Sequence, residues 1–209
     1  MKKIAIITEF LYNFGGIEKT ILTVAKELSK RGIKVDIYAG LYDENKTFEE
    51  FKNLNVKTFL KKKLPPGINT LYLRYKFSRL KLKEYDGFII YGFHSLAMSK
   101  DHHPNVWWSM NPLGYMYGLK GKGAKEKDIP HQYKESVIKK TFILAYLRFL
   151  KFIDQQNIKG VDKIFCVGHL AKDNLNNAYP DKKIEILYAP TDTNKLRYLS
   201  KGKYYLSVA

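Results

Sequence analysis

The sequence has a single cysteine among 209 residues. Cys166 sits inside the apolar run Ile164-Phe165-Cys166-Val167, so no internal disulfide framework exists and the chain suits a reducing compartment. Long hydrophobic stretches are also missing. After Met1-Lys2-Lys3 only Ile4 to Ile7 are continuously apolar, too short for the core of a signal peptide, and the longest later candidate is broken by Lys139, Lys140, Arg148 and Lys151. A cytoplasmic protein is expected, with a peripheral position on the inner face of the membrane as a further placement. Negative charge is scarce, with 20 Asp and Glu against 37 Lys and Arg, and the formal charge of +17 favours anionic partners: phosphates, an acidic membrane surface or nucleic acid. No Gly-x-Gly-x-x-Gly fingerprint, no metal-ligand spacing of Cys and His, and no RNA- or DNA-binding motif is present, so no metal site is assigned and no nucleic acid is expected.

What the sequence has in abundance is alternation. Short apolar runs at Ile4–Thr8, Lys34–Ala39, Val56–Leu60, Gly87–Tyr91, Asn105–Ser109, Lys163–Val167 and Lys183–Tyr188 are separated by helical patterns. That arrangement predicts an α/β fold: a Rossmann-like, doubly wound parallel sheet flanked by helices. The first connection is the most informative. A strand at Lys3–Ile7 leads through Tyr12-Asn13-Phe14-Gly15-Gly16 into a helix with Ile17, Ile21, Val24, Ala25 and Leu28 at helical spacing, which Arg31-Gly32 ends. The segment from Leu113 to Gln132, rich in Gly, Lys and Pro, reads as a long functional loop, and an apolar helix is predicted at 136–156. Lys203–Ala209 reads as a strand at the very end of the chain, either an added sheet edge or the opening of another domain.

Several residues could carry chemistry. Gly15 and Gly16 at a strand-to-helix turn let backbone amides approach a phosphate where the helix dipole is positive; the alternative is a tight turn. Glu18, in the first turn of that helix, is a cap or a pocket residue. His94 follows the strand Phe88–Tyr91 at the carboxyl edge, where open α/β sheets bind ligands, and is either a contact to a substrate hydroxyl or structural. Asp36 lies inside the second strand rather than at its end, which disfavours a nicotinamide-dependent oxidoreductase. The basic segments Lys61–Lys63, Arg74–Lys83 and Lys120–Lys127 fit docking on anionic lipid or a solvated lysine-rich surface.

The ordered set Phe14-Gly15-Gly16-Ile17-Glu18, Asp162–Leu175 and Ile186-Leu187-Tyr188-Ala189-Pro190-Thr191-Asp192-Thr193 resembles the N-terminal, acceptor-side domain of retaining GT-B glycosyltransferases of the glycogen-synthase-like and mannosyltransferase-like group, family 4 type. The resemblance implies a hexosyltransferase that moves a sugar, with retention, from a UDP- or GDP-linked donor to a glycan or lipid-linked acceptor, with no cofactor and no metal requirement. It implies an acceptor-side domain over residues 1–190, then a linker and the first strand of a truncated donor-binding domain over 191–209, so that the fragment alone is expected to be inactive. It places His94 near the sugar as the catalytic candidate, makes Gly15 and Gly16 the donor-phosphate loop, and favours pocket roles for Glu18 and Asn111. Met110 and Gly114 stand where a related subgroup has His and Arg, so roles of those two side chains do not carry over. The rival from another class is a non-catalytic basic α/β module that binds nucleic acid or another polyanion.

Overall fold

The computed structural model describes residues 1–60, 65, 68–110, 112, 114–117 and 137–191. Seven strands make one parallel sheet: β1 (Lys3–Leu11), β2 (Lys34–Tyr42), β3 (Asn55–Leu60), β4 (Gly87–Ile90), β5 (Asn105–Ser109), β6 (Lys163–Cys166) and β7 (Ile184–Ile186). Their order is β3-β2-β1-β4-β5-β6-β7. Each predicted run forms one strand. β1 is longer than expected, because Phe10 and Leu11 continue the ladder opposite Leu41 and Tyr42.

The chain order fixes which helix covers which face. Parallel crossovers are right-handed, so connections that step from β1 towards β3 fall on one side of the sheet and those that step from β4 towards β7 fall on the other. Accordingly α1 (Gly16–Lys30) and the 3-10 turn Glu49–Asn53 bury Ile21, Leu22, Ala25 and Phe51 against Ile6 and Ile37. On the opposite face α2 (Ile68–Arg79), α4 (Val137–Asn157) and α5 (His169–Ala178) bury Leu73, Phe77, Leu150 and Leu175 against Ala5, Ile7, Ile90 and Trp107. Ala5, Ile6 and Ile7 thus point alternately to the two layers, as the two-residue period of a strand requires. A single helical turn, α3 (Gly114–Tyr117), lies within the segment expected to be a loop.

Gly32 closes α1 as predicted, with φ +73° and with the amides of Gly32 and Ile33 donating to the carbonyls of Ser29 and Leu28. The helix at 136–156 forms within one residue of its expected bounds. Cys166 is buried and unpaired. Among the described residues no helix is long and apolar enough to cross a membrane. The expected linker and terminal strand lie outside the described residues, Thr191 excepted.

Two features of α2 depart from expectation. Arg74, read as a surface cation within a basic segment, is only 6% exposed. Conversely Ile68, Leu71 and Tyr75 lie at the surface along the outer side of the helix, beside Lys76 and Arg79. The helix is apolar on both sides, so its sequence has no single hydrophobic stripe from which the inward face could be read.

Candidate functional site

Connections leave β1 and β4 in opposite directions, so these hydrogen-bonded neighbours form the topological switch point, where open sheets hold ligands at the carboxyl edge of the strands. The loops that follow them carry the candidates. After β4 the chain makes a turn through Gly92, Phe93 and His94 into the 3-10 segment Ser95–Asp101. This turn is held from two sides. Glu9 of β1 accepts both the Phe93 and the His94 backbone amides on its Oε1, and the Trp107 indole of β5 donates to the Gly92 carbonyl at 3.1 Å. Gly92 is required there twice over. Its φ is +88°, and an added Cβ would lie 2.8 Å from the Glu9 carboxyl group.

His94 is thereby fixed with 8% of its surface exposed. Arg74 Nη1 lies 3.5 Å from its Nδ1, a long contact in which the guanidinium can only donate, so Nδ1 accepts and the neutral ring carries its proton on Nε2. Burial pushes the imidazole pKa below its usual value; Glu9 pulls it up and Arg74 pushes it further down. The ring is therefore a neutral donor at physiological pH.

After β1 the loop reaches Gly15, the N-cap of α1, which caps without a side chain. The Glu18 carboxylate folds back over it, with Oε2 2.6 Å from the Cβ position that Gly15 lacks. Burial pushes the Glu18 carboxyl above its usual range, partly offset by the amides of Glu18, Asn13 and Gly15. This is the third helical residue returning to the cap, the geometry of a capping box. Gly16 is different. It is exposed, and a Cβ there would meet nothing within 4 Å, so neither its backbone angles nor its protein neighbours demand glycine.

The opposite, amino edge of the sheet is structural. Asp36 accepts from Tyr85 at 2.6 Å and Asn55 at 2.8 Å, with Lys3 at 3.3 Å, and has no place in a ligand site at the carboxyl edge. His102 accepts the Leu82 amide at 3.1 Å, and His103 pairs with Asp162 at 2.9 Å. Among the described residues no group of three or more His, Cys, Asp or Glu could hold a metal ion.

Comparison with known families decides what such a fold and edge belong to: the model of Glycosyltransferase Family 4 matches residues 14–195. The chain belongs to Glycosyltransferase Family 4. Among solved structures it is similar to MurG of Acinetobacter baumannii, at 14% identity and a TM-score of 0.50 over 92% of this chain and 46% of that one. It is also similar to the apo form of the lipopolysaccharide outer core galactosyltransferase WaaB, at 16% identity and a TM-score of 0.53 over 93% of this chain and 47% of that one. At such identities the likeness is one of fold, and the chain spans about half the length of these proteins. No curated protein sequence matches it.

The fold brings the Gly15-Gly16 loop and His94 to the carboxyl edge beyond the adjacent strands β1 and β4. Asn111 lies outside the described residues. Two residues of the site were missed. Glu9 fell just past the run Ile4–Thr8 read as the first strand, although a carboxylate followed by two more apolar residues, Phe10 and Leu11, is a signal of a continuing strand with an inserted functional group. Arg74 passed for a surface charge because its neighbours Lys76, Arg79, Lys81 and Lys83 are cationic.

Proposed function

We propose that this chain is the acceptor-side half of a GT-B glycosyltransferase that transfers a hexose from a UDP- or GDP-linked donor to a glycan or lipid-linked acceptor, with retention. The observation that carries the reading is the clamped turn at the switch point. Glu9 and Trp107 fix the backbone around a neutral His94 whose Nε2–H has no partner among the described residues and can donate to a sugar hydroxyl, which is the preorganised placement that glycosyl transfer needs. Gly16, exposed and with no structural demand for glycine, allows the donor's pyrophosphate to approach the start of α1 beside the Glu18 carboxyl, which already engages the amides of Gly15 and Glu18.

Retention requires the leaving phosphate to be stabilised while the acceptor hydroxyl arrives on the same face of the sugar. The half described here contributes positioning to that step. Glu9 is engaged by two amides, and no carboxylate of this half is assigned as a nucleophile. The reading uses no metal ion.

A lipid-linked acceptor is supported by the outer side of α2, where Ile68, Leu71 and Tyr75 are exposed and Lys76 and Arg79 supply positive charge. Such a face suits an anionic membrane surface. The test is sugar transfer by the protein at its natural length across a panel of UDP- and GDP-sugars, with the anomeric product read by NMR. His94→Ala should lower kcat/KM on the order of 100-fold. No turnover of any donor by the natural-length protein would overturn the proposal.

A further inference from the structure

We propose that Arg74 is the receptor for a small oxyanion, a phosphate or carboxylate group carried by the substrate and bound beside His94. Arg74 lies on the inner side of α2 with Leu73 and Phe77 and is buried, yet its guanidinium always carries its charge. Among the described residues its one hydrogen-bond contact is the long one from Nη1 to His94. Nε and Nη2 are both buried and have no hydrogen-bond partner among the described residues.

Those two nitrogens form one edge of the guanidinium plane, with parallel N–H bonds, the fork that matches the two oxygens of a carboxylate or phosphate. No neighbouring acid among the described residues pairs with them. Asp154, the buried carboxylate whose charge interacts with Arg74, directs its Oδ2 to the hydroxyls of Tyr117 and Tyr179 at 2.5 and 2.6 Å, and its Oδ1 is itself unpartnered. A buried, unpaired charge is costly, and proteins keep one where a ligand completes it. The partner must be compact and must accept two hydrogen bonds side by side, which excludes a polymer lying on the surface. The placement next to His94 puts the anion at the same strand end as the reacting sugar, so the acceptor of this enzyme would be an acidic one, or the donor's own phosphates would reach this far.

The inference rests on the proposed function only for what carries the oxyanion, and its test is independent of turnover. Melting of the protein at its natural length is followed in inorganic phosphate and in sodium chloride of equal ionic strength, for the wild type, Arg74→Met, Arg74→Lys and the exposed control Arg31→Met. Phosphate should raise the melting temperature of the wild type and of the control beyond the chloride value, and should not do so for Arg74→Met. Without phosphate, Arg74→Met should melt close to the wild type, because relief of the two buried, unpartnered nitrogens offsets the lost charge interaction with Asp154. Arg74→Lys keeps the charge and loses the fork, and should bind phosphate at least about 10-fold more weakly. The same series in UDP separates the two carriers: an Arg74-dependent shift with UDP assigns the site to the donor, and a shift with phosphate alone assigns it to the acceptor.

An equal phosphate shift in Arg74→Met, or no phosphate-specific shift in the wild type, would overturn the inference. So would a large loss of stability in Arg74→Met, which marks a structural ion pair. If Arg74→Met does not fold, phosphate affinity in Arg74→Lys equal to that of the wild type is the overturning result. Sugar transfer without phosphate binding removes this inference alone, whereas phosphate binding without transfer removes the proposed function alone.

Discussion

Replacing Glu9 isolates the contact that builds the site. In Glu9→Ala the amides of Phe93 and His94 lose their shared acceptor. A buried N–H left without a partner costs about 1–3 kcal/mol, and because this pair is part-buried the lower end applies to each, for a total of about 2–4 kcal/mol. That is a large share of the roughly 5–15 kcal/mol by which a domain is stable. Glu9→Gln keeps an amide oxygen in place and loses only the charge assistance, about 1 kcal/mol per bond, or roughly 2 kcal/mol. Urea unfolding should therefore rank wild type above Glu9→Gln above Glu9→Ala, with falling midpoints and an unchanged slope. Gly92→Ala attacks the same contact from the other side, through its positive φ and a 2.8 Å approach to the Glu9 carboxyl. Its clash term vanishes when Glu9 is alanine, so the double mutant should be less destabilised than the sum of the single ones. The reasoning fails if Glu9→Ala lies within about 0.5 kcal/mol of the wild type, the range of ordinary surface changes, and the two amides exchange with solvent at unchanged rates.

Two histidines should titrate in opposite directions. His94 is held below the unfolded value of about 6.5 by burial, so its contribution to stability is full above that pH and is lost as pH falls through its folded pKa. His103 is raised by its hydrogen bond to Asp162, so its contribution is full below about pH 6.5 and is lost as pH rises through the folded value. Ring NMR titration checks both, and His94 titrating at or above the free value would refute its assignment as a neutral donor. Tyr179→Phe removes one of two hydroxyls that hold Asp154, and chemical denaturation should show a loss of about 1 kcal/mol, with Asp154→Ala costing more because it strands both the Tyr117 and Tyr179 hydroxyls. Serine at Ile68, Leu71 and Tyr75 together should leave the melting temperature nearly unchanged, since the three side chains are exposed, and should abolish cosedimentation with phosphatidylglycerol vesicles. Retained sedimentation would remove the membrane role of that face.

The fold was readable because each strand of a two-faced parallel sheet is nearly all apolar and each crossover ends in recognisable punctuation, Arg31-Gly32 being the clearest. The placement of His94 was equally readable, since a residue that follows a buried strand must surface at its carboxyl edge. The clamp was not. Nothing local in Thr8-Glu9-Phe10 says that a carboxylate will meet amides from a loop far along the chain; only the pairing of β1 with β4 brings them together. Arg74 escaped for a different reason. With Ile68, Leu71, Tyr75, Leu73 and Phe77 on the same twelve residues, periodicity assigns α2 no inside, and a cation among cations gives no sign that it faces inward.

The Glu9 clamp joins residues separated by 84 and 85 positions. Contacts of such span form only after a large loop has closed, and they belong to the slow, late part of assembling a parallel sheet. Ligand affinity should thus be recovered in refolding with the final cooperative phase rather than with early helix formation at α1. Binding competence in this domain is a reporter of the finished sheet.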